Sequence, residues 1–184
     1  MDEMVLVLGA VIINEVNLFG HQWVELKNAS SAPVNLEGWV IQNSRGADTL
    51  PSITIEPGGY ALLSSSRGVQ GADFYFPDGT VGSGLAASAD MLVLLRPSGE
   101  LEDAVNWGEA DPSWPNYRPE LWPKGARIGA TGVIARIPDA LDRDSPSDWL
   151  AVPEATPRSE NSYPMGLDTP SWGKIKALFS GKSK

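Results

Sequence analysis

Cysteine is absent from this sequence, which removes disulfides, thiolate metal sites and cysteine nucleophiles together and leaves the redox compartment unreadable. Histidine occurs once, at His21 beside Gly20. With no serine, acid or metal partner positioned for it, a lone imidazole makes no triad, so a structural or solvent-exposed role is expected. Neither standard Gly-rich phosphate loop occurs, which argues against nucleotide chemistry. Long hydrophobic runs are missing as well: the apolar stretch 4–13 is too short to span a bilayer and follows Met-Asp-Glu rather than a positive n-region. Neither a signal peptide nor a transmembrane segment is therefore expected in this chain, and the stretch reads as a buried first strand.

Positive charge is scarce in the body. The formal charge is −9, yet Lys174, Lys176, Lys182 and Lys184 give the last fifteen residues +4 with no acid, leaving −13 for residues 1–169. Such a body repels phosphate backbones and lacks the cations needed for counterion release, so nucleic acid is not an expected partner for it.

What is present points to strands. The 184 residues carry 19 glycines and 15 prolines, too many for a helical protein and suited to frequent turns. About eight strand-like runs, each bounded by Gly, Pro, Asn or Ser, recur at 5–16, 21–27, 38–43, 52–55, 60–64, 91–96, 102–107 and 131–137. Pro57-Gly58-Gly59 and Pro97-Ser98-Gly99 supply explicit reversals, the second within the clearest hairpin. In Trp23-Val24-Glu25-Leu26-Lys27 the alternation predicts an inward apolar face with Glu25 and Lys27 toward water. Met91-Leu92-Val93-Leu94-Leu95 does not alternate, so both its faces should be covered.

Two regions break the rhythm. Residues 108–130 form a long loop in which Pro112, Pro115, Pro119 and Pro123 stand among Trp114, Tyr117 and Trp122. Beyond Pro153 the chain is polar and Pro-rich, then becomes basic and amphipathic from Trp172. The expected organisation is an all-β domain over residues 1–163 with loop 108–130 inserted, followed by a linker and tail at 164–184.

The order Ile13-Asn14-Glu15-Val16, Trp23-Val24-Glu25-Leu26-Lys27-Asn28 and Val34-x-Leu36-x-Gly38-Trp39 resembles the opening of lamin tail domains. Ile55-x-Pro57-Gly58-Gly59-Tyr60, Asp90-Met91-Leu92-Val93-Leu94-Leu95, the Pro97-Ser98-Gly99 turn with Asp103-x-Val105-x-Trp107-Gly108, Ala135-Arg136-x-Pro138-Asp139 and Thr156-Pro157-x-x-x-Asn161 come next in the same order and are similar to the bacterial branch. The resemblance covers roughly residues 10–162 and rests on many weak elements in sequence, as a sandwich assignment does. It implies an immunoglobulin-like β-sandwich used for adhesion, scaffolding or targeting, often in bacterial surface or secreted proteins, and it hands over no catalytic residue. The long loop and the basic tail depart from the family pattern.

Candidate chemistry is sparse. Asp139, Asp142, Asp144 and Asp148 lie within ten residues and offer oxygen ligands to a hard cation such as calcium, but without EF-hand spacing and with Arg136 and Arg143 nearby. Turn capping by Asp and Ser is the favoured reading, and no other cofactor is expected. Acidic pairs such as Glu15 with Glu25, or Glu100 with Glu102 and Asp103, carry little weight as glycosidase carboxylates, a solvated strand face being the default. Trp114, Tyr117 and Trp122 could contact a protein partner or a glycan, or close down as a lid, which is favoured because large aromatics are usually buried. In the tail, Trp172, Ile175, Leu178 and Phe179 fall at helical spacing among lysines, suiting an anionic membrane surface, a groove on a protein, or no function. The expectation is a non-enzymatic interaction or scaffold module in a larger assembly or envelope, self-assembly included, with membrane-surface or carbohydrate adhesion as the alternative.

Overall fold

Apolar side chains at alternate positions give each long strand one face that must leave water, and facing two such sheets is the direct solution. The computed structural model describes residues 10–117 and 132–162. Its strands are β1 (Val11–Asn17), β2 (Trp23–Asn28), β3 (Val34–Asn35), β4 (Val40–Asn43), β5 (Ala47–Thr49), β6 (Thr54–Ile55), β7 (Tyr60–Ser64), β8 (Phe74–Tyr75), β9 (Asp90–Leu95), β10 (Leu101–Trp107), β11 (Val133–Arg136) and β12 (Trp149–Val152), with one short 3-10 turn at Pro146–Asp148. A six-stranded sheet runs β12-β11-β1-β2-β7-β8, a four-stranded sheet β10-β9-β4-β5, and β3 pairs with β6. The chain is an all-β immunoglobulin-like sandwich.

The core lies between the sheets. Val11, Ile13, Val16, Val24, Leu26, Ala61, Leu63 and Ile134 come from the six-stranded sheet, and Ile41, Leu92, Leu94, Val105 and Trp107 from the other. Pro97-Ser98-Gly99 closes the β9–β10 hairpin as expected, with the Gly99 amide donating to the Arg96 carbonyl at 2.8 Å. Gly99 holds φ at +85°, a conformation costly to a residue with a Cβ. Strand β9 is buried on both faces: Leu92 and Leu94 face the core, while Met91 and Val93 join an outer cluster.

A bulge in β1 joins the sheets. Ile13 pairs with Leu26 and Glu15 with Glu25, so Asn14 is an extra residue in the ladder. The Ile13 amide is satisfied from the opposite sheet, donating to Asp103 Oδ2 at 2.6 Å, and its carbonyl accepts from Arg136 Nε at 2.8 Å. Arg136 also donates through Nη2 to both Asp103 oxygens, at 2.8 and 3.0 Å, and through Nη1 to the Leu141 carbonyl and Asp142. Its guanidinium lies 4.7 Å from the centre of the Trp149 ring. Arg136 and Asp103 are both almost fully buried. Burial pushes Asp103 up to about 6, against the pull of Arg136.

Removing one partner of a buried pair leaves its counter-charges uncompensated. Arg136→Met should therefore lower unfolding free energy by ~3–5 kcal/mol, whereas Arg143→Met, whose side chain is 55% exposed beside Asp148, should cost under ~1 kcal/mol. Urea denaturation of the two variants measures both; equal losses would contradict the assignment of Arg136 as the ionic centre.

Candidate functional site

Each sheet has an outer face, and the chain covers the two by different means. Over β9 and β10, Trp114 and Tyr117 pack with Leu95, Leu101 and Ala104 on the buried Met91 and Val93. Short turns fix this stretch: the Trp114 amide donates to the Asp111 carbonyl at 3.0 Å, the Tyr117 amide to the Trp114 carbonyl at 3.2 Å, and Asn116 Nδ2 to Gln42 Oε1 at 2.7 Å. Both aromatic residues remain half-buried, so each keeps a surface toward solvent. Trp122, Trp172, Ile175 and Phe179 lie outside the described residues.

Over β1 and β2 the cover is polar. Glu15 and Glu25 are cross-strand neighbours, and the bulge at Asn14 turns Glu15 away from the core. Glu25 keeps the parity that alternation predicts, but it does not face water: both carboxylates are fully buried. The physical reason is a later segment, residues 153–162, which crosses this face. Glu15 accepts the Thr156 amide at 2.9 Å, and Glu25 accepts the Arg158 amide at 2.5 Å and Asn14 Nδ2 at 3.0 Å. Asp139 joins the cluster, accepting Asn14 Nδ2 at 2.9 Å, the Asn161 amide at 3.1 Å, the Tyr60 hydroxyl at 3.1 Å and the Lys27 ammonium. Asn161 Nδ2 closes the set by donating to the Asn14 carbonyl at 3.1 Å.

These acids differ in charge state. Burial pushes Glu15 from 4.5 up to about 7 against the lowering effect of the Thr156 donors, and the neighbouring Glu25 adds to the rise. Burial does the same for Glu25, also to about 7, with Asp139 adding to it. Asp139 instead lies below its usual value: burial acts to raise it, but Lys27, Asn14 and Asn161 together outweigh that. Chemically the cluster can store protons and grip main-chain N–H groups. The sequence presents Glu15 and Glu25 as a solvated pair; their one signal is a pair of acids at directly apposable positions of two neighbouring strands.

The acidic stretch 139–148 is spread over different partners. Asp139 turns to Lys27, Asp142 accepts Arg136 Nη1 at 3.1 Å, and Asp148 accepts the Arg143 amide and Nε, each at 2.7 Å. Ser145 and Asp148 form a capping box around the 3-10 turn, while Asp144 is exposed with φ at +51°. Among the described residues no group of three or more His, Cys, Asp or Glu is arranged to hold a metal ion. His21 is exposed near Gly68. No helix among the described residues is long and apolar enough to cross a membrane.

Two comparisons with known proteins bear on this arrangement. The family model described as Lamin Tail Domain matches residues 7–109. No curated protein matches the chain.

The raised carboxyls fix the sign of a pH dependence. A carboxyl whose folded value lies above its unfolded one contributes stability that is complete below about 4.5 and is lost as pH rises through about 7. Stability should thus fall between pH 5.5 and pH 8 by about 2 kcal/mol for each of Glu15 and Glu25. Thermal melts across that window should show the decline in the native chain and a flatter profile in Glu25→Gln.

Proposed function

Since the chain belongs to the lamin tail domain family, we propose that it acts as a structural scaffold module, holding a protein partner within a larger assembly or cell envelope. Lamin tail domains are immunoglobulin-like, non-enzymatic protein-interaction modules, and the described residues fit that class: their buried ionic groups are turned to their own backbone and to each other.

The observation that carries the reading is the loop 108–117. Trp114 and Tyr117 are held on the outer face of β9 and β10 by their own turns, and Trp114 keeps part of its surface toward solvent. A rigid aromatic anchored by its neighbours makes a good contact point, because little side-chain freedom remains to be lost on binding. Trp122, later in the same loop, is a further residue for partner contact. The sandwich with its loop, residues 1–163, is the binding body, and residues 164–184 with Trp172, Ile175 and Phe179 form a second contact.

Cross-linking mass spectrometry on the chain in its native source tests this. Trp114→Ala should stay folded, losing about 1–3 kcal/mol, and should lose cross-links between the loop and its partner. Unchanged cross-links with lowered stability would reduce the aromatic pair to a lid. Liposome co-sedimentation with and without residues 170–184 separates the adhesion reading: lipid binding that disappears on truncation would make the tail a membrane anchor instead.

A further inference from the structure

The cover over β1 and β2 is held in an unusual way. Within 153–162 only Thr156 and Asn161 are withdrawn from solvent, and the apolar residues of the segment, Pro153, Ala155 and Pro157, are exposed. No hydrophobic side chain anchors it. Its attachment is a set of hydrogen bonds: the main-chain amides of Thr156, Arg158 and Asn161 reach Glu15, Glu25 and Asp139 in turn, and Asn161 Nδ2 reaches the Asn14 carbonyl. Arg158 adds bonds from its guanidinium to the Gly71 carbonyl and to Asp73.

Two features oppose this attachment. Arg158 sits at φ +62°, a region costly to a residue with a Cβ. The second is charge. Three acids converge beneath the segment, and the cation that faces them, Lys27, is bonded to Asp139 and Tyr60. The guanidinium of Arg158 points away to Asp73, and Glu154 and Glu160 on the segment are exposed and bring no positive charge. With Glu15 and Glu25 both ionised the covered pocket would enclose two uncompensated negative charges, a state that burial disfavours strongly.

We infer that residues 153–162 form a pH-gated clasp, seated on the sheet while Glu15 and Glu25 hold protons and released as both ionise. Release relieves the strain at Arg158 and lets water reach the two carboxylates, while the sandwich beneath, held by its apolar core and the buried Arg136–Asp103 pair, stays closed. Burial holds both glutamic acids up to about 7 while the segment covers them, so their ionisation in the seated state falls near neutrality. Asp139 stays ionised throughout with Lys27. The uncovered face would then display a row of carboxylates whose partners in the closed state are main-chain N–H groups of an extended segment.

Hydrogen exchange of the full chain tests the clasp, with each amide rate divided by the rate of unstructured chain at the same pH. From pH 5.5 to 8.5 the protection of the Thr156, Arg158 and Asn161 amides should fall about tenfold or more. Protection of amides in the central strands β2 and β9 should fall by no more than the loss of global stability and remain strong at pH 8.5, where the amides of the clasp approach the rate of unstructured chain. In the double variant Glu15→Gln, Glu25→Gln the fall should vanish. Equal protection of the clasp amides at both pH values, or clasp amides that at pH 8.5 stay as protected as those of β2 and β9, would overturn the inference. Should the double variant not fold, the comparison within the native chain still decides the matter.

Discussion

The structure depends on one irregularity, the extra residue in β1, and on the buried pair that accommodates it. A bulge withdraws an amide and a carbonyl from the ladder, and in a core neither can be left unpaired without losing the free energy of a hydrogen bond. Asp103 and Arg136 take up the two groups of Ile13 and neutralise each other in doing so. Because Asp103 belongs to the four-stranded sheet and Arg136 to the six-stranded one, the same contact ties together two sheets that share no ladder. Buried ion pairs are poor sources of net stability, but they discriminate strongly between arrangements, since any other register of β1 strands a charge.

The bulge also sets the parity for the remainder of β1. Were Asn14 paired as a regular ladder residue, the alternation begun by Val11 and Ile13 would carry Glu15 inward; because it is bulged, Val16 and Leu18 continue the core and Glu15 lies on the outer face opposite Glu25. The acid cluster and the ionic centre therefore both depend on Asn14 standing in a bulge instead of the ladder. The two outer faces then respond differently to solution conditions. Aromatic contacts over Met91 and Val93 depend on removing apolar surface from water and are indifferent to protonation. Hydrogen bonds from Thr156, Arg158 and Asn161 to buried acids depend on a proton count.

Much of the sandwich was legible because its signals were local. The hairpin at Pro97-Ser98-Gly99, the doubly covered β9 and the strand Tyr60–Ser64 derive from turn chemistry and from alternation or its absence. The short strands β3, β5 and β8, two or three residues each, offer too few positions for a period to show. Strand β12 was hidden for another reason: Trp149-Leu150-Ala151-Val152 directly follows four aspartates whose density reads as loop. Alternation in Trp23-Val24-Glu25-Leu26-Lys27 gives the correct parity and the wrong environment, because parity says which face a side chain takes and nothing about what later covers that face. Glu25 is buried by residues more than a hundred positions away, a contact that no window along the chain contains.

The family match ends at residue 109, and the parts that cover both outer faces come after it. Trp114 and Tyr117 close one face; Asp139, Thr156, Arg158 and Asn161 close the other. The β-sandwich of the matched region supplies two sheets whose outer faces are natural places for contact, and a bare apolar face such as Met91 and Val93 would invite association on its own. Covering segments convert such faces into surfaces whose exposure can be set, one by side-chain shape and the other by protonation. On the proposed function, specificity would reside less in the shared sheets than in the two covers, because the sheets must keep their inward residues to fold at all.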